Sequence, residues 1–216
     1  MAGNICSAEK LNFTLLKIVH CFKNNNFKMW FIAYGTLLGI VRNNSCINGD
    51  DDIDIICDSN DFHLLKKILI QENFELEYGY GIGESTLIIK TKETEKYASI
   101  DFYMTEVNLD GDFYDGWEKV IWEKCFVNKK REFINLEWQG INLNLPKDYI
   151  KKLRGRYGAN WTIPSKFKGI QGNKIQTLIL SIFFRFPFKI RQKIKSIIFK
   201  NNNFGKYIKT LFLGRL

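Results

Sequence analysis

Residues 50 to 54, Asp50-Asp51-Asp52-Ile53-Asp54, place four carboxylates in five positions, follow the turn-forming pair Asn48-Gly49 and run directly into Ile55 and Ile56. An extended strand turns successive side chains to opposite faces, so this stretch reads as a strand with Asp50, Asp52 and Asp54 on one side and Ile53 and Ile55 on the other. Asp51 points away from the three and is the member expected to matter least. Three carboxylates on one face repel each other unless a cation neutralises them, and an all-oxygen donor set suits Mg²⁺ or Mn²⁺ better than a softer metal. A solvated acidic turn is the competing reading of any charge run. The interleaved isoleucines argue against it, because an exposed turn has no use for them.

The rest of the chain can supply the sheet that such a strand needs. With 216 residues, 45% hydrophobic and 15% aromatic, it can bury a substantial core, and one domain with an appendage is the expectation. Residues 8 to 23 carry Leu11, Leu15, Leu16, Ile18, Val19 and Phe22 at helical spacing, ending in Asn24-Asn25-Asn26. Met29 to Ala33 reads as a short strand leading through Tyr34-Gly35-Thr36 into a short helix closed by Asn43-Asn44. A further helix is expected from about Asp61 to Glu72. Strands at Phe74 to Tyr80, Thr86 to Thr91 and Tyr97 to Met104 would form an antiparallel meander completing a mixed sheet. The fold class is therefore α+β (mixed α/β), a mixed sheet flanked by helices. Residues 105 to 145 are aromatic and irregular, with an exposed β-hairpin expected around Ile141, Leu143 and Leu145, and are assigned to one side of a substrate pocket. From Lys147 the pattern is helical as far as Tyr157-Gly158, the glycine serving as C-cap.

Charge divides the chain unevenly. Up to Asp148, 23 Asp and Glu against 16 Lys and Arg leave −7; residues 149 to 216 hold 16 basic residues and no acid. Ile175, Leu178, Ile179, Ile182, Phe183 and Phe186 share a helical face, Pro187 interrupts, and Ile190, Ile194, Ile197 and Ile198 resume beside Arg191, Lys193 and Lys195. The domains expected are 1–165, the main body, and 166–216, a basic amphipathic helical tail. Peripheral contact with an anionic membrane through residues 174–213 is one reading of the tail, and packing on the domain another. No specific nucleic acid is expected, because the apolar residues form a continuous stripe instead of alternating with stacking positions. Five scattered cysteines, with no CxxC pair and only two histidines, make a zinc site improbable. Their odd number, together with the lack of a signal peptide or of about 18 consecutive apolar residues, places the expected location in the cytoplasm, with peripheral membrane attachment left open.

The chemistry gathers around the acidic strand. Gly35-Thr36 at a strand-to-helix turn lets backbone N–H groups approach a phosphate, with the helix N-terminus adding partial positive charge. Asp101 stands alone between Ile100 and Phe102, where a buried carboxylate is costly unless paired or metal-bound. Two carboxylates holding a metal over phosphate oxygens, with a third completing a second metal site or accepting a proton, make a phosphoryl or nucleotidyl transfer site.

Tyr34-Gly35-Thr36-Leu37-Leu38-Gly39-Ile40-Val41-Arg42 followed by Asp50-Asp51-Asp52-Ile53-Asp54-Ile55 resembles the signature of the LicD family, which includes bacterial phosphocholine transferases and is similar to the fukutin and fukutin-related ribitol-phosphate transferases. Leu145-Pro146-Lys147-Asp148-Tyr149 and Leu153 to Tyr157-Gly158, with Trp161 and Pro164, resemble its closing motif. The resemblance covers about residues 8 to 165. It implies a nucleotidyltransferase-like fold and transfer of a phospho-alcohol, such as phosphocholine or ribitol phosphate, from a CDP-linked donor to a glycan hydroxyl. By matching positions, Asp52 and Asp54 would be core metal ligands and catalytic groups, with Asp50 a third metal-binding member of the face and Asp101 the later-strand carboxylate, catalytic and metal-binding. Gly35 and Thr36 would approach the donor phosphates, and Arg42 would face the pyrophosphate. Asn48-Gly49 replaces the family's usual Pro-Trp, a departure that bears on donor or acceptor packing and leaves the carboxylates in place. Two other functions compete: a nucleotidyltransferase that moves NMP from an NTP, and a non-catalytic protein that binds a membrane or polyanion.

Overall fold

The computed structural model describes residues 4–77 and 87–164, with the backbone of Gly214–Arg215. In chain order the elements are α1 (Ala8–Asn24), β1 (Trp30–Ile32), α2 (Tyr34–Asn43), β2 (Asp52–Asp58), a 3₁₀ turn at Ser59–Asp61, α3 (Phe62–Gln71), β3 (Ile88–Lys90), β4 (Ser99–Val107), β5 (Phe113–Asp115), β6 (Val120–Trp122), β7 (Ile134–Trp138), β8 (Ile141–Leu145), α4 (Tyr149–Tyr157) and β9 (Gly214–Arg215). They build an α+β fold, a mixed sheet flanked by helices.

Strands β2 and β4 lie side by side and parallel at the centre of the sheet, Asp52 opposite Ser99 and Asp58 opposite Thr105. Both are buried almost throughout, as central strands covered on two faces must be. Strand β1 runs antiparallel to β2, while β3 and β5 are antiparallel partners of β4 along different parts of its length. β6 pairs with β5 and β9 with β6. The expected meander is reduced: of Phe74 to Tyr80, the described part forms one bridge, Leu76 with Thr91, and residues 78–80 lie outside the described residues.

Helix α1 forms for local reasons and stays for tertiary ones. Ser7 caps it by accepting the Lys10 N–H at 3.2 Å, and Leu11, Leu15, Ile18 and Phe22 bury one face. Its buried Thr14 accepts the Ala98 N–H at 2.9 Å, which ties the helix to the approach of β4. Helix α2 ends at Asn44 in the left-handed region. Gly39 is required there: a Cβ would lie 2.7 Å from the Ser45 carbonyl oxygen and 2.9 Å from the Ile47 nitrogen, so only glycine lets the chain fold back toward the acidic run.

The β7–β8 hairpin is not exposed as expected. Ile141, Leu143 and Leu145 are buried, and the hairpin is fastened by Asn144 Nδ2 donating to the Trp30 carbonyl at 3.0 Å and Trp138 Nε1 to that of Asn44 at 2.9 Å. Alternation along β8 marked a buried face, and Asn144 reaches back to bond the Trp30 carbonyl. All five cysteines are buried and free. No helix among the described residues is long and apolar enough to cross a membrane. The amphipathic pattern from Ile175 onward falls outside the described residues.

Candidate active site

The acidic run is split between a turn and a strand. Gly49 takes a φ of 91°, and the Asp50 N–H closes onto the Ile47 carbonyl at 3.2 Å, so the extended strand begins only at Asp52. Strict alternation therefore does not reach Asp50 and Asp51. One carboxylate oxygen each from Asp50, Asp51 and Asp52 lies within 4.8 Å of the others, which brings Asp51 into the group it was expected to face away from. Asp50 approaches Asp54 from the other side, since a Cβ built on Gly35 would lie 2.6 Å from Asp50 Oδ2 and 3.3 Å from Asp54 Oδ2. Glycine at 35 is what leaves both carboxylates their room.

The strand-to-helix turn closes over Asp54. Its backbone carbonyl accepts the Ala33 N–H at 3.0 Å, its backbone N–H donates to Thr36 Oγ1 at 2.8 Å, and its Oδ2 accepts the Gly35 N–H at 2.9 Å. Tyr103 Oη donates to Oδ1 at 3.0 Å. Gly35 thus offers its amide to Asp54, not to open space. Thr36, expected at the donor phosphates, is buried and uses its oxygen to hold the strand. Both place the carboxylate, Gly35 through its amide and Thr36 through its hydroxyl oxygen.

Asp54 and Asp101 are partners across β2 and β4, and Lys90 is the partner of Asp101 across β3 and β4. Directly opposed residues share a face of the sheet, so one rung carries two carboxylates and an ammonium. Lys90 Nζ lies 2.9 Å from Asp101 Oδ1 and 3.6 Å from Asp52 Oδ2. Asp101, expected as a metal ligand, is therefore held by a lysine that the sequence did not single out.

Crowding shows in the acid strengths. Burial, then the charges of Asp101 and Asp51, push Asp52 up to about 8 against the pull of Lys90. Burial raises Asp54 well above the usual carboxylate range, with Asp52, Asp101 and Asp50 adding to it, and burial raises Asp50 as well. The face cannot keep every carboxylate ionised by itself, and a divalent ion reverses that tendency. The donor set fits such an ion: all oxygens, hard and clustered, with Asp50 and Asp54 lining a cavity.

That cavity, about 400 Å³, is lined by Tyr34, Gly35, Arg42, Asp50, Asp54, Tyr103, Glu118, Arg156 and Tyr157, among others. Arg42 lines it, its Nε without a hydrogen-bond partner among the described residues. Of the stretch 105 to 145, only Glu118 reaches the lining among the described residues. The rest supports from behind. Tyr34, at a φ of 42° that costs a tyrosine strain, donates its hydroxyl to Asp115 Oδ2 at 2.5 Å and receives Trp122 Nε1 at 3.3 Å. Arg156 from α4 lies over the Tyr34 ring, 4.1 Å from its centroid, and pairs with Glu118 at 3.2 Å. Tyr34, Tyr103, Arg156 and Tyr157 were missed as site residues although all but Tyr103 fall in the quoted motifs; no local signal distinguishes a pocket-facing side chain from a packed one.

Residues 28–165 match the family described as LicD/FKTN/FKRP, nucleotidyltransferase domain. An uncharacterized protein of Rickettsia prowazekii (strain Madrid E) is 31% identical over 155 residues, 67% of this chain and 53% of the relative, so the chain spans about half the relative's length. The lincomycin-bound crystal structure of the lincosamide antibiotic adenylyltransferase LnuA is similar at a TM-score of 0.46 and 16% identity, covering 70% of this chain and 86% of that one.

Proposed function

Because the chain belongs to the LicD/FKTN/FKRP nucleotidyltransferase-domain family over residues 28–165, we propose that it transfers a phospho-alcohol from a CDP-linked donor to a glycan hydroxyl with the help of Mg²⁺ or Mn²⁺. The observation that carries the reading is the meeting of Asp50 and Asp54 with Arg42 and Arg156 in one cavity, where a carboxylate cluster faces two guanidinium groups. Carboxylates fit a metal and the acceptor's proton; guanidinium groups fit phosphate oxygens.

Asp50, Asp51 and Asp52 are the residues that would hold the ion, with Asp54 beside them, and the ion when bound would draw charge from the donor phosphates as the leaving group departs. Arg42 and Arg156, which line the same cavity, orient the pyrophosphate. The acceptor oxygen attacks the phosphorus that bears the alcohol and a new O–P bond forms. The P–O bond to CMP breaks, CMP leaves with the electron pair, and the hydroxyl proton passes to a carboxylate lining the cavity, Asp50 or Asp54. Tyr103 and Gly35, both bonded to Asp54, fix its orientation through the cycle.

Incubation with CDP-choline, CDP-ribitol or CDP-glycerol and Mg²⁺ is expected to release CMP from one of them. Pyrophosphate release from an NTP, with all three CDP-alcohols intact, would replace this reading with nucleotidyl transfer.

A further inference from the structure

Lys90 is the buried cation of the acidic site. It is 9% exposed, and it is carried on β3 directly opposite Asp101, so the ladder fixes its position before any side-chain choice is made. Its ammonium touches Asp101 at 2.9 Å and reaches Asp52 at 3.6 Å, on the inner side of the carboxylate face. The other approach to Asp52 is through Asp50 and Asp51, whose oxygens lie within 4.8 Å of it and of one another. Asp52 therefore stands between two cation positions, and one of them already holds a protein charge. Two-metal phosphoryl-transfer sites place their ions about 3.5–4 Å apart on shared carboxylates. An ammonium against Asp52 and Asp101 takes up the carboxylates that a second ion would bridge.

We propose that Lys90 is the built-in second cation of this site, so that the carboxylates accept one divalent ion, on the Asp50, Asp51 and Asp52 side, and Asp101 acts as a positioning residue through Lys90. The proposal rests on the reading that the acidic face binds a divalent ion. It makes a site of fixed inner charge, in which only the ion on Asp50, Asp51 and Asp52 exchanges with solvent. The ammonium is a compact point charge, so it neutralises the Asp101 and Asp52 carboxylates together from one buried position.

The test is Mn²⁺ binding to the full chain, read as free Mn²⁺ by electron paramagnetic resonance and as stoichiometry by calorimetry. The wild type is expected to bind one ion per chain. Lys90→Met, which keeps the length and removes the charge, is expected to bind two, and Lys90→Arg one. Asp101→Asn, whose partner is the lysine, is expected to keep the single ion, which decides the matter even where Lys90→Met does not fold. Two ions on the wild type, one ion on a folded Lys90→Met, or loss of the ion in a folded Asp101→Asn would each overturn the role of Lys90 and leave a metal-binding site standing. No ion on the wild type would overturn the metal reading itself.

Discussion

Arg156 lies with its guanidinium carbon 4.1 Å from the ring centroid of Tyr34, and this contact joins the last described helix to the first turn of α2. The same helix carries Lys152 one turn earlier, whose Nζ donates to the Glu123 carbonyl at 2.6 Å. Two basic residues at i and i+4 thus dock α4 on the ends of β6, and the docking delivers a cation to the cavity.

Arg156→Ala is expected to lower unfolding free energy by about 1 kcal/mol, the size of a partly desolvated cation–π contact, and to weaken donor binding. Arg156→Lys is expected to recover little of either, because a lysine lacks the planar group that stacks and forks. Urea unfolding and donor titration check this; full recovery by lysine would reduce Arg156 to a point charge.

The Gly35 site has no room for a side chain. Gly35→Ala would put a methyl group 2.6 Å from Asp50 Oδ2 and 3.3 Å from Asp54 Oδ2, so the carboxylates must separate. A displacement of this kind costs turnover on the order of 100-fold, while the α2 fold survives because alanine favours a helix. Steady-state rates with a circular dichroism melt measure the two effects; undiminished turnover would show that the carboxylate spacing does not matter.

Thr36 is expected to contribute to stability. Thr36→Val strands the buried Asp54 N–H, a loss of about 1–3 kcal/mol, and Thr36→Ser should restore most of it. Comparison of urea midpoints decides; equal midpoints for valine and threonine would mean that the amide finds another partner.

Asp115 sets a pH dependence. Burial pushes it up to about 6 from 3.8, although the Tyr34 hydroxyl and the Trp117 and Glu118 amides pull the other way. The folded protein holds this proton more tightly than the unfolded chain, so the group's contribution is fully present below pH 3.8 and is lost as pH rises to about 6. The total is about 3 kcal/mol. Asp115→Asn cannot ionise, so its stability relative to wild type is expected to rise across that window and level off above it. A difference that stays flat from pH 3.5 to 7, in unfolding free energies, would contradict the assignment.

Much of this was legible in the sequence because it is local. The α1 stripe, the Asn44 cap and the Gly158 cap are set by neighbours a turn away, and the structure places helices over Ala8–Asn24, Tyr34–Asn43 and Tyr149–Tyr157 accordingly. The acidic run announced carboxylates but not their partition, since the turn at Gly49 decides where alternation starts. Lys90 and Tyr103 could not be read, because their meeting with Asp101 and Asp54 depends on the register of β3, β4 and β2, which no short window contains. Nor does any local pattern announce that Tyr34 sits at a positive φ with Arg156 on its ring, as that geometry is set from 81 to 122 residues away by Asp115, Trp122 and Arg156.

The most direct measurement of the account is CMP formation from the CDP-alcohol that the wild type turns over, followed with Mg²⁺, with excess EDTA, and in Asp52→Asn and Asp54→Asn proteins shown to be folded. Turnover that needs the ion and falls below detection in both variants is the predicted result. Metal-independent turnover, or undiminished activity in both variants, would contradict it.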